Sequence, residues 1–325
     1  MAAQTPVPSL SDPERLDSAL AELEVVIRHR VDGLLHGNHL GLVPGPGSEL
    51  GDARPYVPGD DVRRIDWAVT ARTTTAHVRT TVADRELETW LAVDLSASMD
   101  FGTALCEKRD LAIVAAAVMA HLTRGGGNRI GAVAAGGGAL LRVPARSGRP
   151  AALHLLRSLA SIPRTAAGSR GDLAGALEQL RRPERRRGLV VAISDFLGPT
   201  DWERPMRALT ARHDIVAVQI SDPRDVALPP VGMVTLVDPE SGRTKDVRVT
   251  RTLADRFAAA AAAHQAEIAA ALRRVGAPLL TLSTDRDWVG DVVRFVVRRK
   301  RGWIGGGAAS LPSPRPGLLP TAANP

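Results

Sequence analysis

The chain carries a single cysteine, Cys106, among 325 residues. An internal disulfide framework and a multi-cysteine zinc site are therefore excluded. No histidine base is indicated beside Cys106, so it reads as a buried structural thiol rather than a nucleophile. Aromatic residues amount to only 3%, and a core must be assembled from Ala, Val, Leu and Ile. Lysine is nearly absent, leaving arginine to supply almost all of the positive charge behind a net +7. That charge is spread along the chain and interleaved with acids, which argues against a specific nucleic-acid surface. Long apolar runs are missing too. The stretch Leu111 to Ala120 is the longest, and it is alanine-rich and too short to cross a bilayer. Residues 1–12 have neither a basic start nor an apolar centre, so no signal peptide is expected and the chain reads as cytoplasmic.

Signatures of catalysis are equally scarce. No Gly-x-x-x-x-Gly-Lys-Ser/Thr stretch occurs, and the glycine triplets at 125–127 and 136–138 lack the lysine and hydroxyl that cradle phosphates. Neither a Gly-x-Ser-x-Gly elbow nor a His-Glu-x-x-His pair is present. A non-enzymatic protein therefore leads. Two other readings stay open. One is a metal-dependent phosphoester hydrolase in which Arg72 or Arg170 clamps phosphate oxygens. The other is a structural module with a degenerate metal site.

What the chain does have is an α/β pattern. Apolar residues from Leu16 to Leu34 recur at helical spacing, predicting a helix within 12–36, and the Gly/Pro-rich segment 36–51 ends it. From Glu88 onward, short apolar runs alternate with helical stretches. Leu189 to Ile193 is apolar throughout, as befits a parallel strand covered on both faces. Strands are also predicted at 78–82, 90–93, 129–135, 140–143, 215–220, 233–237, 246–249 and 279–282, with a long helix at 252–275 and a closing helix at 288–298. The Gly-, Pro- and Ala-rich end lacks apolar periodicity and reads as disordered.

Leu91-Ala-Val-Asp94-Leu-Ser96-Ala-Ser98-Met99 is the most telling segment. An apolar strand ends in a carboxylate, and two hydroxyls follow at alternate positions. In open α/β sheets, ligands sit beyond the carboxyl ends of strands near a reversal of strand order. A second strand ends in Ile193-Ser-Asp195-Phe196. If the two strands are neighbours, Asp94, Ser96, Ser98 and Asp195 converge as hard oxygen ligands for Mg²⁺, with Mn²⁺ also possible. One coordination position is then left for the Asp or Glu of a partner protein. The segment Gly168-Ser169-Arg-Gly-Asp172 opens a helix, offering the Ser169 hydroxyl at the same rim and Asp172 as a cap. Further upstream, charges crowd around Tyr56 and Trp67: Arg54, Asp60, Asp61, Arg64, Asp66 and Arg72, with Pro58-Gly59 between. Such density predicts guanidinium forks paired with carboxylates against aromatic rings, bracing an accessory unit.

These segments resemble the DUF58 family, whose members carry a von Willebrand factor A-like domain. Tyr56 to Trp67 with Ala71-Arg72 is similar to the family's Pro-Gly-Asp-Asp…Arg-x-Ile-Asp-Trp signature, and Asp94-x-Ser96-x-Ser98-Met99 resembles a metal-ion-dependent adhesion site. Ile193-Ser-Asp-Phe196, Asp222-Pro223, Leu228-Pro229 and Val237 to Gly242 match later segments, and the likeness covers most of 15–300. It implies a Rossmann-like von Willebrand A domain with a mostly parallel central sheet at 88–300. A small accessory β-domain at 51–87 would precede it, with 129–145 as a possible contributor. Segment 1–50 would be a helix plus irregular chain, and 301–325 a disordered tail. The resemblance also implies a chaperone-like adaptor role beside a MoxR-type AAA+ ATPase or its client. One departure stands out: Gly171 occupies the place where the family supplies a threonine hydroxyl to the metal.

Overall fold

A computed structural model describes residues 5–10, 12–35, 53–56, 65–73, 75–79, 87–124, 127–164, 171–181, 188–239 and 241–305. The N-terminal helix is α1 (Leu16–Val26). It loosens into a π-helical turn at Ile27–Val31 and ends as the short α2 (Asp32–Leu34). Its apolar stripe of Leu20, Leu23, Ile27 and Val31 is buried in the same core as the central strands, so this helix belongs to the main body. Two surface pairs reinforce that docking, Arg149 with Glu24 at 2.8 Å and Arg157 with Asp17 at 2.7 Å. Ahead of the helix, Leu10 is buried and its N–H donates to Asp110 Oδ1 at 3.0 Å, while the Thr5 hydroxyl donates to Asp287 Oδ1 at 2.6 Å. Residues 36–50 lie outside the described residues.

The accessory unit comprises, among the described residues, β1 (Ala53–Pro55), α3 (Trp67–Thr73) and β2 (His77–Arg79), with β1 and β2 antiparallel. Asp66 is buried and accepts from the Val69 N–H at 3.2 Å, capping α3. Trp67 does not brace the unit as its position predicts: it is 72% exposed. Pro58, Gly59, Asp60, Asp61 and Arg64 lie outside the described residues.

The main body is built in chain order from β3 (Glu88–Leu95), α4 (Lys108–Leu122), β4 (Arg129–Gly136), β5 (Ala139–Ser147), α5 (Arg149–Ala160), α6 (Leu173–Leu180), β6 (Gly188–Ser194), α7 (Glu203–Leu209), β7 (Asp214–Ser221) and α8 (Pro223–Val226). A hairpin of β8 (Gly232–Val237) and β9 (Thr244–Val249) follows, then α9 (Arg251–Val275), β10 (Leu279–Ser283) and α10 (Trp288–Gly305). Thr250 caps the start of α9 through the Leu253 N–H, and Gly276 at φ 80° ends it in the left-handed conformation that glycine adopts without strain.

The sheet order is β10-β7-β6-β3-β4-β5, parallel except for β5, which returns antiparallel against β4. Residues 129–145 thus belong to the central sheet and not to the accessory unit. Among the described residues, the strands at 233–237 and 246–249 pair only with each other, as a separate two-stranded sheet. Helix α10 runs through Gly305, so the start of the segment expected to be disordered is helical; 306–325 lie outside the described residues.

Strand β3 shows how an aromatic-poor core closes. Leu91, Val93 and Leu95 face one cluster with α1, α4, α5 and α10, whereas Trp90 and Ala92 face a second with α6, α7 and α9. Every residue of α4 from Leu111 to Ala120 is buried, the pattern of a helix enclosed on all sides. Its alanines let neighbours approach closely where larger side chains would hold them apart.

Candidate functional site

Strands β3 and β6 are neighbours, with Val93 aligned on Ile193. The chain passes from β3 to β4 and β5 on one side, then crosses to β6 on the other. The carboxyl ends of β3 and β6 therefore flank the reversal of strand order, the place where open α/β sheets bind their ligands. Asp94 sits in the last turn of β3. Ser96 and Ser98 follow around a 3-10 turn at Ala97–Met99. All three are buried.

The Ser96 N–H donates to Asp94 Oδ1 at 3.0 Å, and the Ser96 and Ser98 hydroxyls lie 3.3 Å apart. From the next strand the Ser194 hydroxyl donates to Asp94 Oδ2 at 2.7 Å and accepts from the Phe196 N–H at 3.0 Å. Burial, and after it the charge of Asp195, pushes the Asp94 carboxyl up to about 6, against the pull of the serine hydrogen bonds. The loop before α6 closes a further side. A Cβ on Gly171 would lie 2.9 Å from both Asp94 Oδ1 and Ser96 Oγ, so the missing side chain lets the backbone itself reach the carboxylate. Asp172 caps α6 by accepting from the Gly175 N–H at 2.7 Å. Ser169 lies outside the described residues.

Asp195 departs from the expected arrangement. Its Oδ2 is 2.9 Å from the Lys108 ammonium at the first turn of α4, and its Oδ1 accepts from the Leu197 N–H at 3.1 Å. Lys108 is 1% exposed and also reaches Asp225 Oδ2 at 3.3 Å, with the Phe101 ring 5.8 Å away. Burial works to lower the Lys108 pKa, but the two carboxylates outweigh it and hold the ammonium above its ordinary value. Asp225 is pushed up, because its burial exceeds the attraction of Lys108. Just past Asp195 the chain turns through Phe196 at φ 57°, a left-handed conformation costing about 1–2 kcal/mol. Packing of the buried ring edge-on against Trp202, centroids 5.1 Å apart, offsets that cost.

A third carboxylate organises the outer rim. Burial pushes Asp222 up, yet donors from Thr103 (N–H and hydroxyl), Thr284 and the Arg224 N–H together hold it below the usual range. The loop after Asp94 is thereby anchored to the ends of β7 and β10. On its outer side Phe101 and Leu105 are exposed, 41% and 53%. Cys106 in the same loop is pushed up to about 12, mainly by burial and then by Asp110, Asp222 and Glu107, so its thiol stays protonated and unreactive.

The donor set suits a hard divalent cation in part. Asp94, Ser96 and Ser98 offer oxygens of the right kind around a cradle that a side chain at 171 would fill. Among the described residues no three His, Cys, Asp or Glu side chains converge on one point, so an ion here would depend on hydroxyls and water for most of its shell. Of the residues the sequence singles out, the structure brings Asp94, Ser96 and Ser98 together and turns Asp195 toward Lys108. Sequence reasoning missed Ser194, Lys108 and Asp225. The only signal for Lys108 was its rarity, one of three lysines in a chain that otherwise uses arginine.

Among known proteins, the chain is 59% identical over 295 residues to the Uncharacterized protein Rv1480 of Mycobacterium tuberculosis (strain ATCC 25618 / H37Rv), covering 91% of this chain and 93% of that one. It is 55% identical over 167 residues to the Uncharacterized protein MAV169 of Mycobacterium avium, covering 51% and 99%. Solved structures overlap more loosely. A conserved hypothetical protein BatB from Bacteroides thetaiotaomicron gives a TM-score of 0.39 at 15% identity, covering 66% of this chain and 99% of that one. A von Willebrand factor type A protein from Catenulispora acidiphila gives 0.31 at 16%, covering 69% and 43%. The family model described as "Protein of unknown function DUF58" matches residues 52–267, more than half of the sequence, and the chain therefore belongs to the DUF58 family.

Proposed function

We propose that this protein is a non-enzymatic interaction module that receives an acidic side chain of a partner at the rim of β3 and β6, through a Mg²⁺ or Mn²⁺ ion held by Asp94, Ser96 and Ser98. The supporting observation is the buried cluster of one carboxylate and two hydroxyls at the carboxyl ends of adjacent parallel strands, with Phe101 and Leu105 exposed on the loop that follows it. A cation so placed supplies a positive, exchangeable position that attracts a carboxylate. The apolar rim supplies area around it. The family resemblance makes a MoxR-type AAA+ ATPase, or its client, the partner class to look for, and an adaptor role in assembling or activating that client the consequence.

A second reading has its own support. Lys108 already balances Asp195, so a purely structural rim needs no ion. Affinity capture separates the two. Wild type and Asp94→Ala are each used as bait, with Mg²⁺ and with chelator, and retained proteins are identified. The proposal expects an ATPase or client held by wild type in Mg²⁺ alone. Equal retention in all four conditions overturns it in favour of the structural module. Among the described residues no helix is long and apolar enough to cross a membrane.

A further inference from the structure

Lys108 is a costly residue to place where it is. Its ammonium is buried at the start of α4, the end of a helix that repels cations. Removing a cation from water is expensive unless partners surround it, and here Asp195, Asp225 and the face of Phe101 do so. Two carboxylates, Asp195 and Asp225, share that ammonium, and Asp195 is engaged on both oxygens, Oδ2 by Lys108 and Oδ1 by the Leu197 N–H, while Asp94 is held by Ser96 and Ser194 instead.

We propose that Lys108 is the resident cation of the rim and competes with a divalent ion for Asp195, so that this lysine sets how tightly the ion is held. The inference rests on the metal-binding reading above. Lys108 draws Asp195 toward α4, while Asp94 and the serines stay together at the ends of β3 and β6. The ammonium also lowers the field that any incoming divalent cation meets. The rim is consequently built for weak, exchangeable occupancy: without an ion Lys108 leaves Asp195 neutralised, and with one Asp195 is shared. The Lys108–Asp225 contact is the reserve partner that keeps the ammonium buried when Asp195 turns away.

Mn²⁺ alone is the probe, its free concentration followed by electron paramagnetic resonance during titration of wild type, Lys108→Met, Lys108→Arg and Asp94→Ala. Lys108→Met is expected to bind Mn²⁺ at least tenfold more tightly than wild type, Lys108→Arg within threefold of it, and Asp94→Ala not at all. Tighter binding by Lys108→Met when wild type binds too weakly to measure supports the inference equally. If wild type binds in an Asp94-dependent way and Lys108→Met is equal or weaker, the inference falls and the metal reading stands. If neither takes up the ion, both fall. Should Lys108→Met not fold, the double variant Lys108→Met/Asp225→Asn removes one charge of each sign and is read by the same comparison.

Discussion

The Ser194 hydroxyl lies 2.7 Å from Asp94 Oδ2, joining the ends of two strands whose serine and aspartate stand 100 residues apart in the chain. Replacing Ser194 by Ala takes the donor from Asp94 Oδ2, leaving that buried carboxylate only the Ser96 N–H on Oδ1, and takes the acceptor from the Phe196 N–H. The expected cost is about 2 kcal/mol. Urea unfolding checks it: the midpoint should fall with an unchanged slope. An unshifted midpoint would mean that water replaces the hydroxyl.

The metal-free protein should lose stability at Asp94 as pH rises. Its folded-state pKa is about 6, against an ordinary 3.8. The folded chain therefore binds this proton more tightly than the unfolded chain, and the contribution is complete below about 4 and lost as pH passes about 6. Asp94→Asn does not titrate. With chelator present, wild type should weaken relative to Asp94→Asn between those two pH values, by about 3 kcal/mol at most. A difference that is flat or rises across the window contradicts the assignment.

At Gly171 any side chain meets Asp94 and Ser96. Gly171→Ala is expected to displace one of them, costing about 1–2 kcal/mol and weakening Mn²⁺ binding several-fold in calorimetry. Tighter binding in this variant would show that the loop has room to spare.

Leu105 is exposed on the loop that follows the serines, its N–H donating to the Thr284 carbonyl. Leu105→Ser should change unfolding free energy by no more than about 0.5 kcal/mol, yet lower metal-dependent capture of a partner at least fivefold. Undiminished capture would place the contact elsewhere on the molecule.

Local pattern made β3 and β6 legible, because strands covered on both faces must be apolar throughout, and their terminal aspartates stand out against that background. Their adjacency was legible only as a rule about open sheets, since nothing in either segment names its neighbour. The side chain that takes Asp195 comes from a helix 87 residues away, and its contact exists only once α4 has docked. Helix α7 escaped notice because seven residues containing Pro205 and two arginines show too little periodicity. The hairpin of β8 and β9 was visible as two strands, but their exposed Met233, Leu236 and Val237 gave no warning that the pair stands apart from the main sheet. Trp67 failed for the opposite reason: aromatic residues are rare here, and burial was the natural expectation for one.

The Thr5–Asp287 hydrogen bond spans 282 residues. On the ribosome, where synthesis runs from the amino end, that strap has nothing to fasten to until another 282 residues have been made. Leu10 must wait less, for Asp110 of α4. The segment around Thr5 and Leu10 is thus made well before its partners and is among the last secured. A bulky fusion at that end is expected to slow completion of folding more than the same fusion after Gly305.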